Sequence, residues 1–162
     1  MKREKFLWPL TAGHHEALMA AKEIQDSAER IRSDGAMGAW AALSNGAREF
    51  LKTRLVPHFS AEEKLVPYFV KHSAPGHPAA ERMLADHRRL KLLLNKNSLD
   101  SMLLLAEGLQ THIQFEENEL FPLLQETLTA NDKKEALAEL EKILSGFLSD
   151  SPKKEMNGGT LV

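Results

Sequence analysis

Apolar residues return at every third or fourth position along most of this chain, and nowhere do they alternate with polar ones over any length. That period belongs to one face of an α-helix, whereas a half-buried strand repeats every second residue. From Leu10 to about Ile31 the stripe is Leu10, Ala17, Ala21, Ile24, Ala28 and Ile31, and Ser33-Asp34-Gly35 ends it. A second stripe runs from about Ala36 through Trp40, Leu43, Ala47, Phe50, Leu51 and Leu55 to Val70. Pro57 and Pro67 are expected to bend that helix, because proline lacks a backbone donor and crowds the preceding turn. Proline and glycine cluster in the loop Lys71 to Pro78. A third helix is expected from about Ala79 to Leu94, with Asn95 to Ser98 as a break and Ser98 as the cap of a fourth, Leu99 to Gln125. A short terminal helix, Lys133 to about Leu148, carries Leu137, Leu140, Leu144 and Leu148. The fold class that follows is all-α, an up-and-down four-helix bundle with a short extra C-terminal helix. Residues 1–148 are expected to form one domain and 149–162 a flexible tail.

Composition narrows what such a bundle does. The 162 residues suffice for one continuous core, and 43% hydrophobic against 27% charged residues is a globular balance. A formal net charge of −2 with interspersed signs offers no field for nucleic acid or anionic lipid, and no apolar run approaches a spanning length. The basic start is followed by Trp8-Pro9 and Thr11 rather than an uninterrupted apolar core, so a cytoplasmic location is expected. The chain has no cysteine, which removes disulfides, thiolate nucleophiles and sulfur ligands together. Any metal must sit on nitrogen and oxygen.

One device is used twice. Leu55-Val56-Pro57-His58-Phe59-Ser60-Ala61-Glu62-Glu63 and Leu109-Gln110-Thr111-His112-Ile113-Gln114-Phe115-Glu116-Glu117 share His-x-x-x-Glu-Glu, each followed shortly by Leu and Pro. Residues four apart lie on one helix face, so His58 with Glu62, and His112 with Glu116, each aim a nitrogen and a carboxylate at one point. The other two helices each bring a histidine near the apolar stripe: His14 or His15 in the first, and His87 in the third. At about 100° per residue, His14 lies about 40° from the Leu10 direction and His15 about 140°, which favours His14. A lone histidine on an apolar face is more often a satisfied core residue, and a single i,i+4 pair is often a solvated one. The doubled pair with two further histidines is harder to explain that way, since burying four imidazoles and two carboxylates without a cation carries a large desolvation penalty. Imidazole with carboxylate suits iron or manganese and does not exclude zinc. Glu63 and Glu117 fall about 140° from their histidines and read as solvated or supporting groups. His72 and His77 fall in the loop, and Phe50, Phe59, Phe69, Phe115 and Phe121 read as core packing that could also keep water from a metal.

At these residues the chain resembles the hemerythrin-like, or HHE cation-binding, family. The matching stretches are Leu10 to Leu18, Pro57 to Glu63, Asp86 to Leu90, and His112 to Glu117 through Leu120-Phe121-Pro122. The resemblance implies a non-haem centre of two iron ions, cycling between Fe2+ and Fe3+ and joined by an oxo or hydroxo bridge, with manganese or zinc as substitutes. It implies His58 and His112 as terminal ligands, Glu62 and Glu116 as bridges, and His87 and the first-helix histidine as the remaining ligands. The oxygen-carrying members have a second histidine one turn after the first on the third helix, where this chain has Lys91, and an aspartate five residues after the histidine of the last motif. The set is closer to members tied to iron–sulfur repair, nitric oxide response or iron sensing, although the repair proteins usually carry an amino-terminal cysteine segment. The expected role is to bind, sense or scavenge a small oxidant such as oxygen, peroxide or nitric oxide. Catalysis by the same centre, and a metal-free structural bundle, are the rival readings.

Overall fold

A computed structural model describes residues 2–35, 37–72, 76–96 and 98–149 of the protein. Every long element is helical, and no strand occurs among the described residues. Helix α1 spans Trp8–Asp34, with Pro9 in its first turn, where a missing N–H costs nothing. It stops at Gly35, whose φ of 65° is the left-handed conformation that glycine adopts without a Cβ penalty. Its buried residues, Leu10, His14, Ala17, Ala21, Ile24, Ala28 and Ile31, are the expected stripe with one histidine set into it.

The second rod of the bundle is built in pieces. It comprises α2 (Trp40–Phe50), a π-helical turn (Leu51–Leu55), α3 (Val56–Glu63) and α4 (Val66–His72). The π turn ends where Val56 donates its N–H five residues back to Leu51, directly before Pro57, which has no N–H to give. Pro67 likewise cannot bond to the carbonyl of Glu63. The helix therefore closes there with tight bonds from Lys64 N to Ala61 O at 3.2 Å and from Leu65 N to Glu62 O at 2.9 Å. The prolines interrupt the regular helix of this rod with one widened turn and one break. The third rod, α5, spans Gly76–Lys96. The fourth is α6 (Leu99–Phe115), a second π turn (Glu116–Leu120) and α7 (Phe121–Thr127). Here Phe121 donates back to Glu116, again one residue before a proline, Pro122. Ser98 caps α6 as expected, accepting from Ser101 N at 3.1 Å while its own N–H donates to Ser101 Oγ at 2.9 Å.

Helix α8, Ala130–Ser149, is as long as a bundle helix rather than short. It starts earlier than the apolar stripe because Thr129 and Asp132 cap each other reciprocally, Thr129 N to Asp132 Oδ2 and Asp132 N to Thr129 Oγ1, both at 3.2 Å. It buries Ala136 and Leu140 against Phe6, Leu7, Leu10, Ala61 and Leu65. The side chain of Leu148 and the tail from 150 to 162 lie outside the described residues, as do Ala36, Asn97 and positions 73–75 of the expected loop. No helix among the described residues is long and apolar enough to cross a membrane.

The core comes in two apolar blocks. One gathers Leu7, Leu10, Ala61, Leu65, Met83, Phe115, Leu120 and Phe121; the other gathers Ala17, Leu51, Leu55, Phe59, Leu90, Leu105, Leu109 and Ile113. On every rod the changeover brackets the chemistry-bearing residues: His14 lies between Leu10 and Ala17, His87 between Met83 and Leu90, and the two His-x-x-x-Glu pairs at the corresponding levels. A polar layer thus crosses the bundle, sealed above and below by side chains whose burial contributes on the order of 1.5–3 kcal/mol each.

Candidate metal centre

The four rods bring His14, His58, Glu62, His87, His112 and Glu116 into that layer, all buried, with Glu116 and His87 at 0% exposure. His15, the neighbour of His14, is exposed, as the helical angle anticipates. His77 is exposed on the first turn of α5, and His72 closes α4 with its side chain outside the described set.

Donor atoms fall into two overlapping groups, each gathered within 4.8 Å: His14, His58, Glu62 and Glu116, and then Glu62, His87, His112 and Glu116. The two carboxylates belong to both. Glu62 turns Oε1 to His58 Nε2 (2.9 Å) and His14 Nε2 (3.2 Å), and Oε2 to His87 Nε2 (3.2 Å). Glu116 turns Oε2 to His14 Nε2 (3.0 Å) and Oε1 to His112 Nε2 (3.3 Å). Despite these approaches, His58 Nε2, Glu62 Oε2 and both oxygens of Glu116 have no partner in hydrogen-bond geometry. His87 Nε2 and His112 Nε2 face each other at 3.2 Å, and if both neutral rings carry their proton on Nδ1 two lone pairs meet there. Buried polar atoms are ordinarily satisfied, and lone pairs that converge on common points rather than on donors are what a cation requires. The donor set fits a metal.

Electrostatics agree. Burial alone raises Glu116, and the nearby Glu62 carboxylate raises it further, well above the carboxylate range. Burial also disfavours ionised Glu62, but the histidines around it, His58 first, hold it well below that range. Burial would lower His14, yet its contacts with Glu116, Glu117 and Glu62 outweigh this and raise it to about 11. His112, pushed down chiefly by burial, sits at about 4. With protons as the only cations, the two close carboxylates and the histidines between them favour retaining a proton within the layer. A metal binding through His14 Nε2 would have to displace the proton held there.

The outer nitrogens are held by residues that the sequence reading treated as supporting or did not assign. His14 Nδ1 meets Glu117 Oε1 at 2.7 Å, and Glu117 is gripped in turn by the Arg3 guanidinium and by Thr11 Oγ1 at 3.2 Å. His87 Nδ1 meets Glu63 Oε1 at 3.0 Å, and Lys91 Nζ reaches the same oxygen at 3.4 Å. The second glutamate of each doubled motif therefore crosses to the lone histidine of a neighbouring rod. Lys91, where the oxygen carriers have a histidine, serves that outer carboxylate instead. Asp86 Oδ2 stands 3.5 Å from His112 Nδ1, beyond good hydrogen-bond geometry. A carboxylate on Nδ1 fixes the tautomer of the neutral ring, so that Nε2 is the nitrogen left to present a lone pair inward once its proton is displaced. Phe59 stacks on His87 (4.0 Å, 16°) and Phe121 on His14 (5.2 Å, 9°), whereas Phe69 and Phe115 pack in the apolar block.

Gly13 supplies the last fitting part. A Cβ there would come within 2.5 Å of His58 Nδ1 and 2.8 Å of its Cε1, so the imidazole lies directly on the backbone of α1. Nothing in the sequence explains a glycine inside this helix until that contact is seen. A groove of about 590 Å³ between α1 and α2, around Ile24, Ile31, Leu43 and Ala47, touches none of the six residues. A smaller cleft of about 200 Å³ reaches His58.

The sequence matches the family described as Hemerythrin HHE cation binding domain over residues 8–124. No curated protein and no solved structure matches it. The matched span runs from the first turn of α1 to α7 and takes in both halves of the polar layer, and the chain belongs to the hemerythrin HHE cation-binding domain family.

Proposed function

We propose that the polar layer holds a pair of non-haem iron ions, one with His14 and His58, one with His87 and His112, and both with Glu62 and Glu116, and that the centre binds, senses or scavenges a small oxidant such as oxygen, peroxide or nitric oxide. The observation that carries this reading is the sharing of Glu62 and Glu116 by two four-residue groups. A single ion would leave two imidazoles and half of each carboxylate unpaired in a buried site. Two iron ions would supply one electron each and exchangeable positions for a small oxidant. Four nitrogens and two carboxylates serving both ions fill about eight of the roughly twelve positions that two six-coordinate ions offer, which leaves room at each. The chain's own residues do the rest: Glu117 and Glu63 hold the Nδ1 protons of His14 and His87, and Phe121 and Phe59 cover those rings against water. A cleft of about 200 Å³ admits only a small molecule.

The test is to load the protein with ferrous iron anaerobically, expose it separately to air, peroxide and nitric oxide, and follow the visible spectrum. Prompt conversion to the ferric spectrum in air, or a spectral response to nitric oxide, supports the reading. Oxygen uptake that is returned intact under vacuum would place the protein among carriers instead, and silence towards all three would remove the oxidant from the account.

A further inference from the structure

The four histidines are not held alike. Three outer nitrogens face a carboxylate: His14 that of Glu117, His87 that of Glu63 and His112, loosely, that of Asp86. His58 Nδ1 faces none among the described residues, and that edge of the ring lies against α1 at Gly13. The same imidazole is the most exposed of the six residues, at 6% against 0% for His87. The cleft of about 200 Å³ ends on it, walled by Ala12 and Gly13 of α1, Thr53 and Pro57 of the second rod, and Leu144 of α8. Glu16 and Arg54 stand opposite each other at 4.0 Å beside it, so neither sign of charge is favoured at the mouth. His87, by contrast, lies under the Phe59 ring, with Glu63 and Lys91 closing its outer edge.

We infer, resting on the paired-ion reading above, that the cleft between α1, the second rod and α8 is the entrance to the centre and that His58 is the ligand that moves. An imidazole with no acceptor on Nδ1 turns about its side-chain bonds without breaking a hydrogen bond, and the cleft gives it a place to turn into. At about 30 Å³ per water the space holds on the order of six waters, the scale of a hydrated divalent cation or a small oxidant. The ion held with His14 and His58 exchanges through this opening and receives the incoming ligand. The ion held with His87 and His112 is enclosed and exchanges slowly.

Cobalt(II) is a suitable probe, because its visible absorption reports occupancy. The loaded protein is first assayed for cobalt per chain and then mixed with excess EDTA while the absorption is followed. Two phases of equal amplitude are expected. Ala12→Phe and Thr53→Phe replace exposed residues on opposite walls of the cleft, and each should slow the fast phase about tenfold without changing the slow one, a rise of about 1.4 kcal/mol in the barrier. Gln114→Phe, exposed on α6, should leave both phases unchanged. His58→Ala should abolish the fast phase and His112→Ala the slow one. Two cobalt ions that leave in a single phase, or a fast phase indifferent to both cleft substitutions, would overturn the entrance while leaving the paired centre standing. Binding of one ion or none would instead overturn the paired-ion reading, and this inference with it.

Discussion

Replacing Gly13 by alanine sets helix stability and metal binding against each other. In the interior of α1 alanine is favoured over glycine by about 0.5–1 kcal/mol, so the metal-free protein should melt no lower than the unsubstituted one, and a few degrees higher if the backbone gain is realised in full. The added Cβ, however, would stand 2.5 Å from His58 Nδ1, where ordinary contact begins at 3.4 Å. The imidazole is a terminal group and yields more readily than backbone, so it must retreat by about 0.9 Å. Metal–ligand distances tolerate only about 0.2 Å, and a nitrogen displaced by several times that amount no longer ligates. Affinity at the position served by His14 and His58 should fall by at least the 10–100-fold typical of a disturbed supporting residue, about 1.4–2.7 kcal/mol. The assay pairs thermal unfolding of the metal-free protein by circular dichroism with competition for Fe(II) or Co(II) against a chromophoric chelator. Unchanged melting with one ion held weakly is the expected result. Two ions bound as tightly as before would refute the argument, because His58 would then have no need of the space at Gly13.

Other substitutions and conditions separate the roles further. His14→Ala should lose or weaken one ion while His15→Ala retains both, as judged by elemental analysis; the reverse would show that the buried histidine of α1 is not the ligand. Glu117→Ala should weaken metal binding about 10–100-fold, whereas Glu117→Gln, which keeps an acceptor for His14 Nδ1, should recover most of it; equal losses from both would point to charge rather than orientation. Because contacts with Glu116, Glu117 and Glu62 raise His14 to about 11, it holds its second proton near neutrality and metal binding must release it. Apparent affinity should therefore fall as pH falls, with net proton release near pH 7.5, measured by calorimetry in buffers of different ionisation enthalpy; no net release would contradict the assignment. The same raised His14 gives the metal-free protein stability that is fully present below pH 6.5 and lost as pH rises towards about 11.

Much of this was legible in the chain. Apolar spacing at threes and fours located the four rods, and the rotation of about 100° per residue separated inward His14 from outward His15. The doubled His-x-x-x-Glu put a nitrogen and a carboxylate on one face of two helices. Periodicity says which face of a helix is buried, but not which neighbour a group leaving that face will meet. The crossing of Glu63 to His87 and of Glu117 to His14, and the reach of Arg3 from the N-terminal segment to Glu117, depend on how the rods are arranged around one another. Pro57 signalled disturbance without its form, a π turn, since a lost hydrogen bond can be met by a kink, a break or one extra residue in the turn; the matching π turn before Pro122 was not anticipated. Gly13 was silent because its reason is an imidazole brought in by another helix. The full length of α8 was missed because its first turn is held by the Thr129–Asp132 cap rather than by apolar residues.

The central claim is that two shared carboxylates and four imidazoles bind a pair of ions, and counting the ions tests it most directly. The protein would be purified without chelator, reconstituted anaerobically with excess ferrous iron, desalted, and analysed for iron and protein on the same sample, alongside Glu62→Ala and Glu116→Ala. The account predicts about two irons per chain, and a loss in each glutamate variant larger than that of His14→Ala, because each carboxylate serves both ions. One iron per chain, or none, would contradict it.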